Sequence, residues 1–135
     1  MTKTGGCYCK AVRYEVAGKP RFKGICFCRE CQHVSGGNGN IFMLIGADTL
    51  KYTKGSPKKF KRADLPAGNT REFCAECGTH LTTLLAGDPT GIVLKVGSLD
   101  DPSAFGAPQA VLYKSEMQPF HTFPEGVHAF EKFPG

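Results

Sequence analysis

From Ala11 to Val16 the chain alternates apolar and polar positions, the period of a half-buried strand. Gly18-Lys19-Pro20 breaks that pattern, and Arg21 to Phe27 predicts a second strand. Val34 to Asn40 is glycine-rich and polar, which predicts a loop. Ile41 to Ile45 is an uninterrupted apolar run, short and bounded by turn residues, as expected of a buried strand. Leu50–Thr53 and Lys58–Lys61 flank Lys54-Gly55-Ser56-Pro57 and predict a hairpin. Asp64 to Asn69 is a connector, and Thr70–Phe73, His80–Leu85 and Ile92–Val96 predict further strands, with Val111–Lys114 a weaker one. No stretch has a helical period with caps; Ala104–Ala107 allows a single turn. The tail from Gln118 onward, with Phe120, Phe123, Phe130, Phe133 and several prolines, predicts an irregular cover over the sheet. The class is mainly β, and 135 residues predict one domain spanning 1–135.

Composition changes this picture little. A hydrophobic share of 41% and a charged share of 21% belong to an ordinary soluble globule able to bury its own core. The first residues carry no apolar core of a secretory signal, and Ile41–Ile45 is far too short to cross a bilayer. The expectation is a cytoplasmic protein without a membrane partner. Lys51, Lys54, Lys58, Lys59, Lys61 and Arg62, interrupted by Phe60, form a basic stretch. Such a stretch can bind nucleic acid, but alternating lysines more often blunt an exposed strand edge. A nucleic-acid partner is therefore not expected, and weak steering of anions is the secondary reading.

The seven cysteines alter the reading most. They fall as Cys7-x-Cys9, Cys26-x-Cys28-x-x-Cys31 and Cys74-x-x-Cys77-Gly78. An odd number fits a disulfide scaffold badly, and a reducing compartment favours metal ligation. Four thiolates close a tetrahedral zinc site, whereas three leave a position open, the mark of a catalytic site. Cys74-x-x-Cys77-Gly78 has the form of a zinc knuckle, in which glycine accepts a left-handed backbone. On an ideal strand Cys7 and Cys9 would share a face. With two zinc ions and seven thiolates the formal charge of +5 falls to about +2, so the basicity mostly offsets the metal sites.

The triplet Cys26, Cys28 and Cys31 has two readings. Open, it takes a thiol in its fourth position, with Arg29 steadying an anionic ligand and His33 available as a proton carrier. Closed, it is structural, completed by His33 or another side chain. His80 reads as a structural neighbour of the knuckle, His121 and His128 as packing or surface residues, and Glu30 as solvated.

Gly5-Gly6-Cys7-Tyr8-Cys9-Lys10-Ala11-Val12-Arg13-Tyr14 resembles the opening of the glutathione-dependent formaldehyde-activating enzyme family, whose relatives include centromere protein V. Cys26 to Cys31 with Ser35-Gly36, Phe73 to Thr79, Gly97 to Pro102 and Glu125 to Phe130 continue the pattern in order. The resemblance implies a β-tent-like (Mss4-like) zinc-binding fold. It implies a structural zinc on Cys7, Cys9, Cys74 and Cys77 and a second, catalytic zinc on Cys26, Cys28 and Cys31. It further implies a carbon–sulfur lyase, with a small-molecule thiol and an aldehyde as partners. Glutathione adding to formaldehyde to give S-hydroxymethylglutathione is the first candidate reaction. A non-catalytic, zinc-stabilised binding module is the alternative. Phe27 stands where many members carry histidine, Gln32-His33 where a basic pair is common, and Gln118-Pro119-Phe120 where a proline–tryptophan pair is usual.

Overall fold

The computed structural model describes residues 2–133. Its centre is β4 (Asn40–Gly46), the strand built from the apolar run, and the reason for that run is burial on both faces. Met43 and Ile45 point to one side and Phe42 and Leu44 to the other, each packed in a different hydrophobic cluster. A strand covered on both faces loses the polar half of the usual alternation.

β4 lies inside an eight-stranded sheet. Its members are β3 (Phe22–Cys26), β6 (Lys58–Phe60), β7 (Thr70–Phe73), β8 (His80–Leu84), β9 (Gly91–Lys95), β10 (Ala110–Leu112) and β11 (His128–Ala129). The order is β11-β10-β3-β4-β9-β8-β7-β6, antiparallel except where β10 runs parallel to β3 and to β11. A three-stranded antiparallel sheet of β1 (Thr2–Gly6), β2 (Arg13–Ala17) and β5 (Leu50–Lys54) covers one face. Tyr14 and Val16 of β2, with Val12 just before it, meet Met43, Ile45, Leu81 and Leu94 there. Fully burying apolar side chains of this size contributes roughly 1.5–3 kcal/mol each. Tyr14 keeps its hydroxyl satisfied on Ser98 Oγ at 2.7 Å, and burial pushes its pKa up to about 12.

The structure departs from the sequence expectations in four places. The chain does turn at Lys54–Pro57, but Leu50–Thr53 and Lys58–Lys61 do not form a hairpin: β5 pairs with β2, and β6 pairs with β7 in the other sheet. The lysines nonetheless occupy strand edges, since β5 and β6 each end their sheet. A helix, α1 (Arg29–Val34), is present where none was expected. At six residues it is too short to display an apolar period, and tertiary contacts hold it in place of propensity. Cys7 and Cys9 are not on a strand; Cys7 opens and Cys9 lies within a turn in which Lys10 N–H donates to the Cys7 carbonyl at 3.1 Å and Lys10 takes a φ of 67°. Finally, the single turn near Ala104 is a 3-10 segment at Pro102–Phe105.

The small sheet is clamped to the large one by Asp100. Its carboxylate accepts from Thr4 Oγ1 at 2.7 Å and from both terminal nitrogens of Arg13, and its N–H donates to the Thr4 carbonyl at 3.0 Å. Gly5 bridges to Leu99 nearby, and a Cβ there would sit 2.4 Å from both the Ser98 carbonyl and the Tyr14 hydroxyl. Arg13 and then Thr4 hold the Asp100 carboxyl down at about 2, below its ordinary 3.8. The stabilisation is therefore present above about pH 4 and is lost as pH falls through about 2. Asp100→Asn should lower Tm at pH 6, and thermal melts should show the gap to wild type closing between pH 4 and pH 2.

Candidate functional site

Two groups of sulfur atoms come together, each with every ligand atom within 4.8 Å of the others: Cys7, Cys9, Cys74 and Cys77, and Cys26, Cys28 and Cys31. None of the cysteines is in a disulfide.

The four-thiol group joins two turns from distant parts of the chain. In the first, Cys7 N–H donates to the Val12 carbonyl at 3.0 Å and Val12 N–H donates to Cys7 Sγ at 3.2 Å, which folds the chain around that sulfur. In the second, Gly78 N–H donates to the Cys74 carbonyl at 2.8 Å with Gly78 at a φ of 78°, so glycine supplies the left-handed residue of the knuckle. Glu76 N–H donates to Cys74 Sγ at 3.4 Å. Thr79 ties the two turns: its hydroxyl accepts from Tyr8 N–H at 3.1 Å and lies 3.2 Å from Cys77 Sγ. The Thr79 hydroxyl, followed by its backbone, holds the Cys77 thiol down at about 5. Sulfur separations are 3.7 Å for Cys7–Cys9 and for Cys9–Cys74. Tetrahedral zinc with bonds of about 2.3 Å puts its sulfurs about 3.8 Å apart, so this donor set fits that ion.

The three-thiol group is assembled at the end of β3 and the start of α1. Cys26 closes the strand, buried Phe27 anchors the corner, and Cys28 is the N-cap of α1, its sulfur accepting from Cys31 N–H at 3.4 Å. Gln32, almost fully buried, fixes the helix: Nε2 donates to the Phe27 and Glu116 carbonyls, both at 2.8 Å, and Oε1 accepts from Arg29. Arg29 N–H donates to Glu116 Oε1 at 2.7 Å. The Phe27 ring packs at 4.9 Å on His121, whose Nδ1 accepts from Gln118 N–H and whose Nε2 donates to the Gly37 carbonyl.

Among the described residues no fourth cysteine, histidine or carboxylate joins this trio. It opens instead on a cavity of about 400 Å³, lined also by Arg29, Asn40, Asn69, Arg71 and Tyr113. The neighbouring thiols of Cys26 and Cys31 pull the Cys28 thiol down, with Arg71 adding to the effect, while the same coupling pushes Cys26 up. Arg71 pairs with Glu30 at 2.9 Å and donates to Thr83 Oγ1 at 3.1 Å. Behind the trio lies Lys95, 8% exposed, whose Nζ has no hydrogen-bond partner among the described residues. Burial pulls its pKa down to about 8, and the field of Cys31 opposes that shift. A buried ammonium needs a nearby anion. Three thiolates around a divalent ion carry a net negative charge, so the trio and Lys95 suit each other, and this donor set also fits zinc.

His33 stands outside the trio, exposed, and lines a different cavity, so it does not complete a closed site. Arg29 does line the thiol cavity. Sequence reasoning missed Arg71 and Lys95, which reach the trio through strand neighbours far along the chain. A lone lysine inside Ile92–Val96 was the available signal.

The profile of the glutathione-dependent formaldehyde-activating enzyme matches residues 2–116. The chain belongs to that family. The family's fold is the Mss4-like zinc-binding fold, in agreement with the two sheets and paired sulfur clusters described above. A crystal structure of a Rhodobacter sphaeroides protein from a structural-genomics programme is similar, with a TM-score of 0.61 and 20% identity over 76% of this chain and 94% of that one. That likeness is one of fold. No curated protein matches the chain in sequence. No helix among the described residues is long and apolar enough to cross a membrane.

Groups that orient metal ligands typically matter ten- to a hundredfold for affinity. Thr79→Val keeps the side-chain shape and removes the hydroxyl that serves both Cys77 and Tyr8. Competition with a chromophoric chelator should show one metal site weakened by about that factor and the other unchanged.

Proposed function

We propose that this family member is a zinc-dependent carbon–sulfur lyase acting on thiol–aldehyde adducts. Glutathione and formaldehyde, joined to S-hydroxymethylglutathione, are the first pair to test. One observation carries the reading: three convergent thiols have no fourth protein donor among the described residues and face an open cavity with cationic and amide groups. In this reading Cys7, Cys9, Cys74 and Cys77 hold a structural zinc, and Cys26, Cys28 and Cys31 hold the reactive one.

Forward, the thiol loses its S–H proton, a carbon–sulfur bond forms at the aldehyde carbon, and the former carbonyl oxygen takes up a proton; the reverse direction breaks the same bonds. A zinc ion on the trio would supply Lewis acidity and favour the ionised form of a thiol. The chain's own groups supply the rest. Lys95 places a fixed positive charge behind the trio and limits the build-up of negative charge. Arg71 and Asn69 offer donors toward an oxygen in the cavity. Arg29 donates to the neutral amide of Gln32 and forms no ion pair among the described residues, so it can hold a carboxylate of the thiol substrate. His33 takes no part.

Metal analysis should give two zinc ions per chain. Graded chelation should remove one first, together with thiol binding, while circular dichroism stays near native; removal of the second should drop Tm sharply. Cys31→Ser should mimic the first stage and Cys77→Ser the second. The reverse pattern, with Cys31→Ser unfolded and Cys77→Ser folded but inactive, would exchange the two roles. Calorimetry offers a second check on the cavity. Arg29→Gln should weaken glutathione about tenfold, as for one charged hydrogen bond, and leave cysteamine, which has no carboxylate, unaffected. If no cellular thiol binds the zinc-loaded chain at millimolar concentration, the protein is a binding module and the lyase reading fails.

A further inference from the structure

A second cavity, about 520 Å³, lies beside the thiol cavity. The two share Glu30, Asn69 and Arg71, so the Arg71–Glu30 ion pair stands as a partition between them. Its other walls are mainly apolar: Val34 at the end of α1, Phe60 on β6, Phe73 on β7, and Leu65 in the loop that joins those strands. His80 stacks on Phe73 at 5.8 Å, with its Nδ1 buried and unpartnered among the described residues.

Glutathione has no apolar part for such a chamber, and formaldehyde is far too small to need one. The volume falls in the range of small-molecule sites, and an apolar cavity of about 150 Å³ is already enough for benzene. The charges on its lining are matched: Arg62 by Asp64 at 3.0 and 2.6 Å, and Arg71 by Glu30. Burial also keeps His80 toward its neutral form. Only His33 is left as a titratable group without a partner of this kind among the described lining residues. A matched lining selects against a charged guest, because the guest would be desolvated with nothing to pair it. Phe60 is 54% exposed on an edge strand, which gives the chamber an entrance from solvent.

We propose that this chamber is the subsite for the carbonyl partner's substituent, and that the aldehyde handled at Cys26, Cys28 and Cys31 carries a neutral aryl or alkyl group of about six to ten carbons. This rests on the lyase reading of the neighbouring cavity. The thiol adds across R–CHO as it would across formaldehyde: S–H breaks, the carbon–sulfur bond forms, and the oxygen becomes the hydroxyl of R–CH(OH)–S–R′. The reacting carbon then stays on the trio's side of the Arg71–Glu30 pair, and R lies between Phe60 and Phe73.

Benzyl alcohol and 1-hexanol are unreactive stand-ins for such aldehydes, and the zinc-loaded chain can be titrated with each by NMR. Shift changes should centre on Val34, Leu65 and Phe73, while methanol and benzoate should leave them in place. Val34→Trp, which fills the chamber, should weaken both alcohols at least tenfold. Phe60→Ser, on an exposed edge where folding is not at risk, should weaken them severalfold. With glutathione present, the ratio of kcat/KM for benzaldehyde to that for formaldehyde should fall at least tenfold in Val34→Trp. Equal binding of the alcohols by wild type and both variants, or equal binding of benzoate, would overturn the chamber assignment while leaving the lyase reading intact. Alcohol binding in a chain that turns over no aldehyde with any thiol would instead overturn the lyase reading, and the aldehyde assignment with it.

Discussion

The centre of the large sheet, β4 and β9, is buried on both faces, and the rest of the molecule follows from that constraint. One face, carrying Met43, Ile45, Leu81 and Leu94, receives the three-stranded sheet, and Cys7 and Cys74 belong to its cluster. The opposite face carries Phe42, Leu44 and Val93, and Cys26 and Cys31 belong there. The two sulfur groups are therefore separated by the sheet itself. Alternation along β9 does the same for charge: Lys95 shares the side of Val93 and so acts on the trio, while Leu94 between them closes the other core.

The coverage of the second face is less regular, and the candidate chemistry sits in that irregularity. α1 fills only part of it. Gln32 acts as a buried bolt between the helix and the segment near Glu116. Phe27 occupies a comparable position against His121. Both residues serve packing around the trio in place of lining the space before it. Polar groups facing that space include Arg71 of β7 and Asn69 in the loop ahead of it.

Much of this was legible in the sequence, and for physical reasons. The cysteine spacings state local geometry directly, because a C-x-x-C-G turn needs few outside contacts. The strands from Arg13 to Ala17 and from Asn40 to Gly46 announce themselves by side-chain alternation or by unbroken apolar character. The turn at Lys54–Pro57 was also readable, but turn chemistry does not say which partner each flanking strand will take. β5 and β6 chose different sheets, since Tyr52 can pack on Tyr14 and bond to Glu72 only from the small one. α1 was hidden by its brevity. Arg71 and Lys95 were hidden because their roles arise from lateral strand order, which a linear pattern does not encode.

The parallel join of β3 to β10 sets a timetable for the chain. Lys23 N–H donates to Gln109 Oε1, a partner 86 positions away. At about 5–20 residues per second, synthesis needs roughly 4–17 s to deliver that partner after Lys23 has been made. For that interval Cys26, Cys28 and Cys31 are present without the strand that flanks β3 or the segment that bolts α1. They are then ordinary exposed thiols, open to oxidants and to whatever metal the cell offers. The order in which this fold is built thus leaves these three thiols to wait for part of their shelter long after they are made.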